Sequence, residues 1–336
     1  MTDYNITDYN TTVARRLAEV YTSAVIDDGR ELADLRLILF SDLHKGQRDR
    51  ADDFRHCEQT YLAALEHYWA EGFELFLLGD IEELWENWPP PVIREYSGVL
   101  NQELPFAQSA SPGRYARFVG NHDDLWYDPN QVQRHLESYL AGQPVLESLR
   151  MVVHDQGQAL GELFFLHGHQ GTPDSERFAR LSALIVRYVW RPIQRAFNIP
   201  SNTPSNNYEL RQKHELAMYS FAASRPGLVL FAGHTHHPVW EGLSFEQAMQ
   251  LMPMQAMAAE VDPAWVAEQV AEAVTLPGRN PSYFNSGCCS YSDGSITGLE
   301  IADGEIRLVR WIFAAQPVRA LLFSAALRDV LAAVAG

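Results

Sequence analysis

The segment LVLFAGHTHHPVW, Leu228 to Trp240, ends an apolar run in Gly233, His234, Thr235, His236 and His237. Four other apolar runs end in a similar way. RLILFSDLH closes on Asp42 and His44, FELFLLGD on Asp80, RYARFVGNHD on Asn121, His122 and Asp123, and GELFFLHGHQG on His167 and His169. Carboxylates, an amide oxygen and imidazoles without thiolate make a donor set suited to manganese, iron or zinc. It is too rich in nitrogen for a calcium or magnesium cage. Asp42, His44, Asp80, Asn121, His167, His234 and His236 exceed the ligand number of one tetrahedral ion. They suit two ions roughly 3.5–4 Å apart, bridged by one carboxylate. A single histidine at a strand end is ordinarily a core or surface residue. The repetition at five strand ends is what points to a site.

Such groups converge only if the elements carrying them end side by side. The apolar runs read as short buried strands, and CEQTYLAALEHYWAEG between two of them reads as a helix closing at Gly72. Strands alternating with helices predict an α/β fold built on parallel strands. Sites in such folds form outside the carboxyl ends of the strands. Successive strand residues alternate faces, so Asp42 and His44 are expected to point the same way. Gly79, Gly120, Gly168 and Gly233 stand beside the ligands, where backbone must pass close to an ion. Toward the C-terminus, PSYFNSGCCSYSDGSITGLEIADGEIRLVRWIF reads as several short strands with turns at Asp293-Gly294 and Asp303-Gly304. The chain reads as one domain, 1–336, with its core over about 36–312. Helices are expected over 11–26 and 316–334, a helical cap over 173–224 and a helical insertion over 244–275.

The composition sets bounds. The chain has 336 residues, 46% of them hydrophobic, enough for a sizeable core. No apolar stretch reaches the roughly 18 residues of a membrane-spanning helix, and the N-terminal residues are polar. Cys57, Cys288 and Cys289 form no Cys-x-x-Cys pair, which excludes a zinc ribbon or a disulfide framework and fits a reducing, cytoplasmic setting. A net charge of -17 disfavours nucleic acid and anionic membranes as partners and favours cation accumulation. A monomer or small homo-oligomer with at most peripheral membrane contact is expected.

The ordered set D-x-H, G-D, G-N-H-D, H-G-H and G-H-T-H resembles the calcineurin-like metallophosphoesterases. The motifs lie at Asp42–His44, Gly79–Asp80, Gly120–Asp123, His167–His169 and Gly233–His236. Each alone is weak; five in this order are specific. The resemblance implies a two-sheet β sandwich flanked by helices. It implies that Asp42, His44 and His236 ligate one metal, that Asp80 bridges, and that Asn121, His167 and His234 ligate the other. It casts His122 as the histidine that meets the substrate phosphate and Asp123 as its supporting neighbour. His169 is a possible additional ligand, and His237 has no assigned role. The implied reaction is hydrolysis of a phosphomonoester, phosphodiester or pyrophosphate bond by a hydroxide bridging two cations, manganese fitting best and iron or zinc also suitable.

In layout the chain is nearest to the UDP-2,3-diacylglucosamine pyrophosphate hydrolases, through FSDLHKG, GDIEELWENW and a helical insertion between HGH and GHTHHP. It departs from that group at His122, where arginine is usual, and at His169, where aspartate is usual. Both departures bring it closer to a general phosphoesterase. A nucleotide, a phospholipid or a nucleotide-lipid is the expected substrate class. A non-catalytic scaffold of the same fold should have lost ligands, and this chain keeps them. In the cap, Arg187, Arg191 and Arg195 are candidates for binding a second phosphate. Glu82, Glu83 and Glu86 read as a solvated face. Cys288-Cys289 reads as a tightly packed turn. His56, His67, His135, His154 and His214 read as surface or core residues.

Overall fold

A computed structural model of the protein describes residues 6–109, 114–172, 208–244 and 280–336. In chain order, helix α1 (Ile6–Ser23) leads into strands β1 (Val25–Glu31) and β2 (Arg36–Phe40), helix α2 (Phe54–Ala70) and strand β3 (Glu74–Leu77). Helices α3 (Pro89–Glu95) and α4 (Ser97–Gln108), strand β4 (Tyr115–Phe118) and the short helices α5 (Pro129–His135) and α6 (Glu137–Leu140) follow. Next come strands β5 (Val145–Leu146), β6 (Ser148–Asp155) and β7 (Gln158–Leu166), then helix α7 (Tyr208–Ala223) and strands β8 (Leu228–Ala232), β9 (Pro238–Trp240) and β10 (Leu243–Ser244). Strands β11 (Tyr283–Ser286), β12 (Ile296–Ala302), β13 (Glu305–Ile312) and β14 (Val318–Ala326) and helix α8 (Leu327–Val334) complete the order.

The strands form two seven-stranded sheets, in the orders β1-β6-β7-β8-β11-β9-β10 and β14-β13-β12-β2-β3-β4-β5. Two packed sheets with helices outside are the α/β sandwich expected. In the second sheet β2, β3, β4 and β5 are parallel neighbours, and in the first β7, β8 and β11 are. The five strands that carry site motifs therefore lie in these parallel groups: β2, β3 and β4 in one sheet, β7 and β8 in the other.

These strands are apolar throughout because both faces are covered. Leu37 and Leu39 of β2 join Phe76, Phe118, Phe165 and Phe231 in the core between the sheets. Ile38 and Phe40 point the other way, onto Tyr61, Leu65 and Tyr68 of α2. In β8, Val229 and Phe231 face the inter-sheet core, while Leu230 and Ala232 meet Val13 and Leu17 of α1 and Met218 and Phe221 of α7. Period-two alternation thus builds three apolar interfaces and fixes the strand register that aligns the five carboxyl ends.

The Asp303-Gly304 turn closes β12 onto β13, with Ala302 opposite Glu305 and both turn residues at positive φ, the geometry a two-residue hairpin needs. The C-terminal expectation needs correction. Residues 318–326 are strand β14, paired along β13 with one irregularity at Leu308/Val309, and the helix begins only at Leu327. Ladder bonding to β13 overrides the helical spacing of Leu321, Leu322 and Ala325. Helix α8 buries Leu327, Val330, Leu331 and Val334 in the inter-sheet core. At the other end α1 stops at Ser23, and Val25 and Ile26 open strand β1 instead of extending the helix. Of the expected cap, only α7 falls in the described residues. Arg187, Arg191 and Arg195 lie outside them, as does nearly all of 244–275. Among the described residues no helix is long and apolar enough to cross a membrane.

Candidate metal centre

The ligand positions begin where the strands stop. β2 ends at Phe40, and Asp42 and His44 then both adopt left-handed backbone, φ 53° and 52°. Asp80, His234 and His236 do the same. Left-handed conformation is uncommon outside glycine and is most accessible to Asn, Asp and His, so sequence and backbone agree here. This corrects the expectation for Asp42 and His44. They share a side because of two left-handed residues, not because of strand alternation. Backbone bonds continue the β2–β3 ladder through these residues: Asp42 N–H donates to Gly79 O at 3.1 Å and His44 N–H to Asp80 O at 2.9 Å.

Glycine keeps the ligand loops close. A Cβ on Gly120 would overlap Asp80 Oδ1 and the Asp80 amide nitrogen. A Cβ on Gly233 would come within 2.6 Å of Asp42 Oδ2. Those carboxylate oxygens are held by backbone donors. His122 N–H donates to Asp80 Oδ1 at 2.8 Å, and His234 N–H to Asp42 Oδ2 at 2.9 Å. The second oxygen of each carboxylate is left facing the imidazoles.

Three groups of side chains bring ligand atoms within 4.8 Å of one another: Asp42, His44 and His236; His44, Asp80 and His122; and Asp80, His167 and His234. Asp80 belongs to two of them. Asn121 joins the last group through Oδ1, 3.2 Å from His167 Nε2, which is itself 3.2 Å from Asp80 Oδ2. The structure thus gathers all seven expected ligands. His169 stands behind them, its ring centre 5.3 Å from that of His167. It lies outside the three groups.

The donor set fits divalent cations on the structure's own terms. His44 Nε2 and His236 Nε2 face each other at 3.0 Å. His44 Nδ1 donates to Glu83 Oε2 at 3.2 Å, which leaves a lone pair on Nε2. His167 Nδ1 donates to Leu78 O at 2.7 Å, which aims Nε2 inward at Asp80 Oδ2, 3.2 Å away. Asp42 Oδ1, buried, has no hydrogen-bond donor, although His236 Nε2 is 3.2 Å away. Converging lone pairs and carboxylate oxygens of this kind require positive charge between them, and backbone-anchored imidazoles are the usual way of presenting it.

Burial opposes ionisation of Asp80, yet His167 and then His122 hold its carboxyl well below the usual range. Burial opposes it for Asp42 too, and His236 brings that carboxyl below its ordinary value. His234 is driven well below its ordinary value by burial and by His167. Burial does the same to His169 and His214, which fall to about 3 and about 4. His167 goes the other way: against burial, Asp80 raises it to about 9. Ionised carboxylates and neutral imidazoles bind metal, so His167 would release its proton on binding a cation.

His122 is placed differently from the ligands. Its Nδ1 donates to Glu83 Oε2 at 2.7 Å, its ring stacks on Trp85 at 4.3 Å, and its edge meets His44 at 4.6 Å. Burial works against a charged His122, but Glu83 and Asp80 carry it up to about 10. Glu83 in turn, in spite of burial, is held at about 2 by His122 and His44. Asp123 has no free oxygen to offer a substrate. Its carboxylate accepts from Gly120 N–H at 2.6 Å and Ile81 N–H at 2.8 Å, so it braces two loops. Burial, with Asp80 and Glu82 beside it, raises it to about 7.

Three residues that the sequence reading set aside belong to this site. Glu82 and Glu83 are not on a solvated face: residues 81–83 run alongside Lys45, Glu82 is buried, and Glu83 meets His44 and His122. The available signal was an acidic pair, Glu82 and Glu83, two and three residues after Asp80. His214 of α7 donates to Gly168 O at 2.6 Å and packs edge-on to His234. Nothing in its local sequence marks it. Cys289 N–H donates to Ser41 O at 3.1 Å and Asp42 O at 3.3 Å, so the cysteine turn fixes the Asp42 backbone.

No protein-family model matches the chain, and no curated protein does. Solved structures that align with the chain are distant. Vacuolar protein sorting 29 of Cryptosporidium parvum is 12% identical, with 87% of this chain and 98% of that chain covered, at a TM-score of 0.34. The Entamoeba histolytica protein of the same name is 15% identical, at 85% and 99% coverage and a TM-score of 0.31. A predicted phosphoesterase of Streptococcus pneumoniae TIGR4 is 12% identical, at 85% and 97% coverage and a TM-score of 0.28. Likeness at this level carries nothing about activity.

Proposed function

We propose that this chain is a metal-dependent phosphoesterase that hydrolyses a phosphomonoester, phosphodiester or pyrophosphate bond. The observation that supports it best is the convergence of Asp42, His44, Asp80, Asn121, His167, His234 and His236 beside a separate histidine–carboxylate pair, His122 and Glu83. Asp42, His44 and His236 would hold one cation, Asn121, His167 and His234 a second, with Asp80 facing both. Two bound divalent cations supply Lewis acidity toward phosphoryl oxygens and a nucleophile at neutral pH. Manganese suits the donor set best, and iron or zinc would also be accepted.

The chain's own residues do the rest. Glu83 orients His122 by accepting a hydrogen bond from its Nδ1–H, which leaves Nε2–H for the reacting group. Protonated His122 stabilises charge on a phosphoryl oxygen and, as the P–O bond to the leaving group breaks, gives its Nε2 proton to the departing oxygen. Trp85 covers one face of the imidazole and excludes water from it. Asn121 supplies a neutral oxygen and limits negative charge around the site. A small phosphorylated compound, such as a nucleotide, phospholipid head group or nucleotide-lipid, is the substrate class we assign. Hydrolysis of a UDP-diacylglucosamine-type pyrophosphate is the narrower form of this reading, and the histidines at 122 and 169 weigh against it.

Turnover of bis(p-nitrophenyl) phosphate and p-nitrophenyl phosphate, with Mn²⁺ and after chelation, tests the proposal together with metal content per chain. Metal-dependent hydrolysis of either compound and two bound ions are expected. No metal-dependent turnover of either, or of a panel of phosphodiesters and pyrophosphates, would leave the non-catalytic scaffold as the better reading.

A further inference from the structure

Beneath the ligand loops lies a set of four opposed charges closed off from solvent. Lys45 follows β2, Glu82 follows β3, Arg117 sits in β4 and Glu103 in α4, with exposures of 1%, 0%, 0% and 2%. Lys45 Nζ donates to Glu103 Oε1 at 2.8 Å and lies 4.0 Å from Glu82 Oε1. Arg117 Nη2 donates to Glu82 Oε2, which also accepts from Trp126 Nε1 at 3.0 Å. Tyr61 O–H donates to Glu103 Oε1 at 3.1 Å. The formal charges cancel within the set.

Burying four charges is costly, and well-packed apolar residues in place of such a set are often neutral or stabilising. Stability alone therefore does not account for it. The backbones of the same residues offer another role. Lys45 N–H donates to Ile81 O at 3.0 Å, Glu83 N–H to Lys45 O at 3.0 Å, and Leu84 N–H to His122 O at 3.0 Å. Lys45 and Glu82 are also registered as an isolated parallel bridge. Each faces two ways, its backbone to the site loops and its side chain to the charge set. The anchor reaches all three loops of one sheet: 42–46 through Lys45, 80–84 through Glu82, and 120–123 through Arg117, three residues upstream in β4. In the first two of these loops the left-handed residues Asp42, His44 and Asp80 lie beyond any regular strand.

We infer that Lys45, Glu82, Glu103 and Arg117 form a buried charge anchor that positions the metal-ligating loops and contributes little to the stability of the fold. The inference rests on the metal-site reading above. It makes these four positioning residues, none of which touches substrate. Loss of a partner that orients a ligand costs roughly 10- to 100-fold in metal affinity, and that range is expected here.

The test uses the full chain, Mn²⁺ as the probe and two variants. Lys45→Met/Glu103→Leu removes one ion pair as a pair, and Glu103→Gln keeps the shape and one acceptor oxygen. Calorimetric titration gives Mn²⁺ affinity, and thermal unfolding of the chelated, ion-free protein gives Tm. The double variant is expected to keep nearly the wild-type ion-free Tm, Glu103→Gln to lose Tm because Lys45 is left charged beside a neutral partner, and both to bind Mn²⁺ roughly tenfold or more weakly. Affinity within about twofold of wild type in both variants would overturn the anchor. So would an ion-free Tm that collapses in both, because the set would then be structural. Wild-type protein that takes up no Mn²⁺ would overturn the metal-site reading, and the anchor with it. Uptake by wild type with unchanged variants overturns the anchor alone.

Discussion

Replacing Glu83 by glutamine removes one charge and almost no volume. Glu83 Oε2 accepts from His122 Nδ1 at 2.7 Å and from His44 Nδ1 at 3.2 Å, so one oxygen orients two imidazoles. A hydrogen bond to a charged group is worth about 1.5–3 kcal/mol. If that energy is expressed in the transition state, kcat falls roughly 10- to 150-fold at 1.36 kcal/mol per decade. Because His44 is also affected, the assay must run at saturating Mn²⁺, where weaker metal binding no longer limits the rate. Bis(p-nitrophenyl) phosphate hydrolysis then reports His122.

The pH profile supplies a second reading. Burial lowers His122, and it is Glu83, then Asp80, that raises it. Without the Glu83 charge the proton leaves at lower pH. His122 acts in its protonated form, so the alkaline decline of kcat should move to lower pH in Glu83→Gln. An unchanged kcat within about twofold, with the alkaline limb in place, would refute the role given to this pair.

Two further outcomes follow from buried groups. Burial pushes the Cys288 thiol up to about 12, and Cys57 and Cys289 are also buried, so Ellman's reagent at pH 8 should react with none of the three in native protein and with all three after denaturation. The sign for stability is negative with rising pH: the folded thiol keeps its proton between its ordinary 9.0 and about 12 while the unfolded one loses it. The free energy of unfolding should therefore fall across that window, by on the order of 1.4 kcal/mol per pH unit, and Cys288→Ala should flatten the slope. Leu331 of α8, 1% exposed in the inter-sheet core, should cost about 2–5 kcal/mol when replaced by alanine, measured by chemical denaturation. A loss under about 0.5 kcal/mol, the scale of a surface change, would mean that α8 does not belong to that core.

What could be read from the sequence was what local chemistry repeats. Apolar runs ending in Asp, Asn and His marked β2, β3, β4, β7 and β8, and Asp303-Gly304 marked a hairpin, because each signal sits within a few residues. The second sheet came from the resemblance, since strands such as β1, VIDDGRE, carry no apolar alternation of their own. β14 was misread because Leu321, Leu322 and Ala325 fit a helix locally, and only β13, supplied by the fold, makes a strand better. Glu83 was missed for a related reason: whether an acidic run is solvated depends on what lies across from it, here His44 and His122. His214 reaches the site from a helix far along the chain, a relation that spacing does not encode.

The site is divided between the sheets. Asp42, His44, Asp80, Asn121 and His122 extend from β2, β3 and β4, whereas His167, His234 and His236 extend from β7 and β8. Direct bonds tie the halves together, among them His167 Nδ1 to Leu78 O, His234 N–H to Asp42 Oδ2 and Ser41 Oγ to Ser286 Oγ. Alignment of the two halves is set by these bonds together with the way the sheets seat on one another. Phe76 of one sheet against Phe165 of the other, ring centres 5.3 Å apart, forms part of that seat, and Phe231 backs Phe165 within its own sheet at 5.2 Å. A core substitution there that preserves volume but shifts one sheet by a fraction of an ångström would detune the centre without touching a ligand. Variants that fold well yet lose function should therefore map to this aromatic seam as well as to the site itself, and screening for stability alone would pass them.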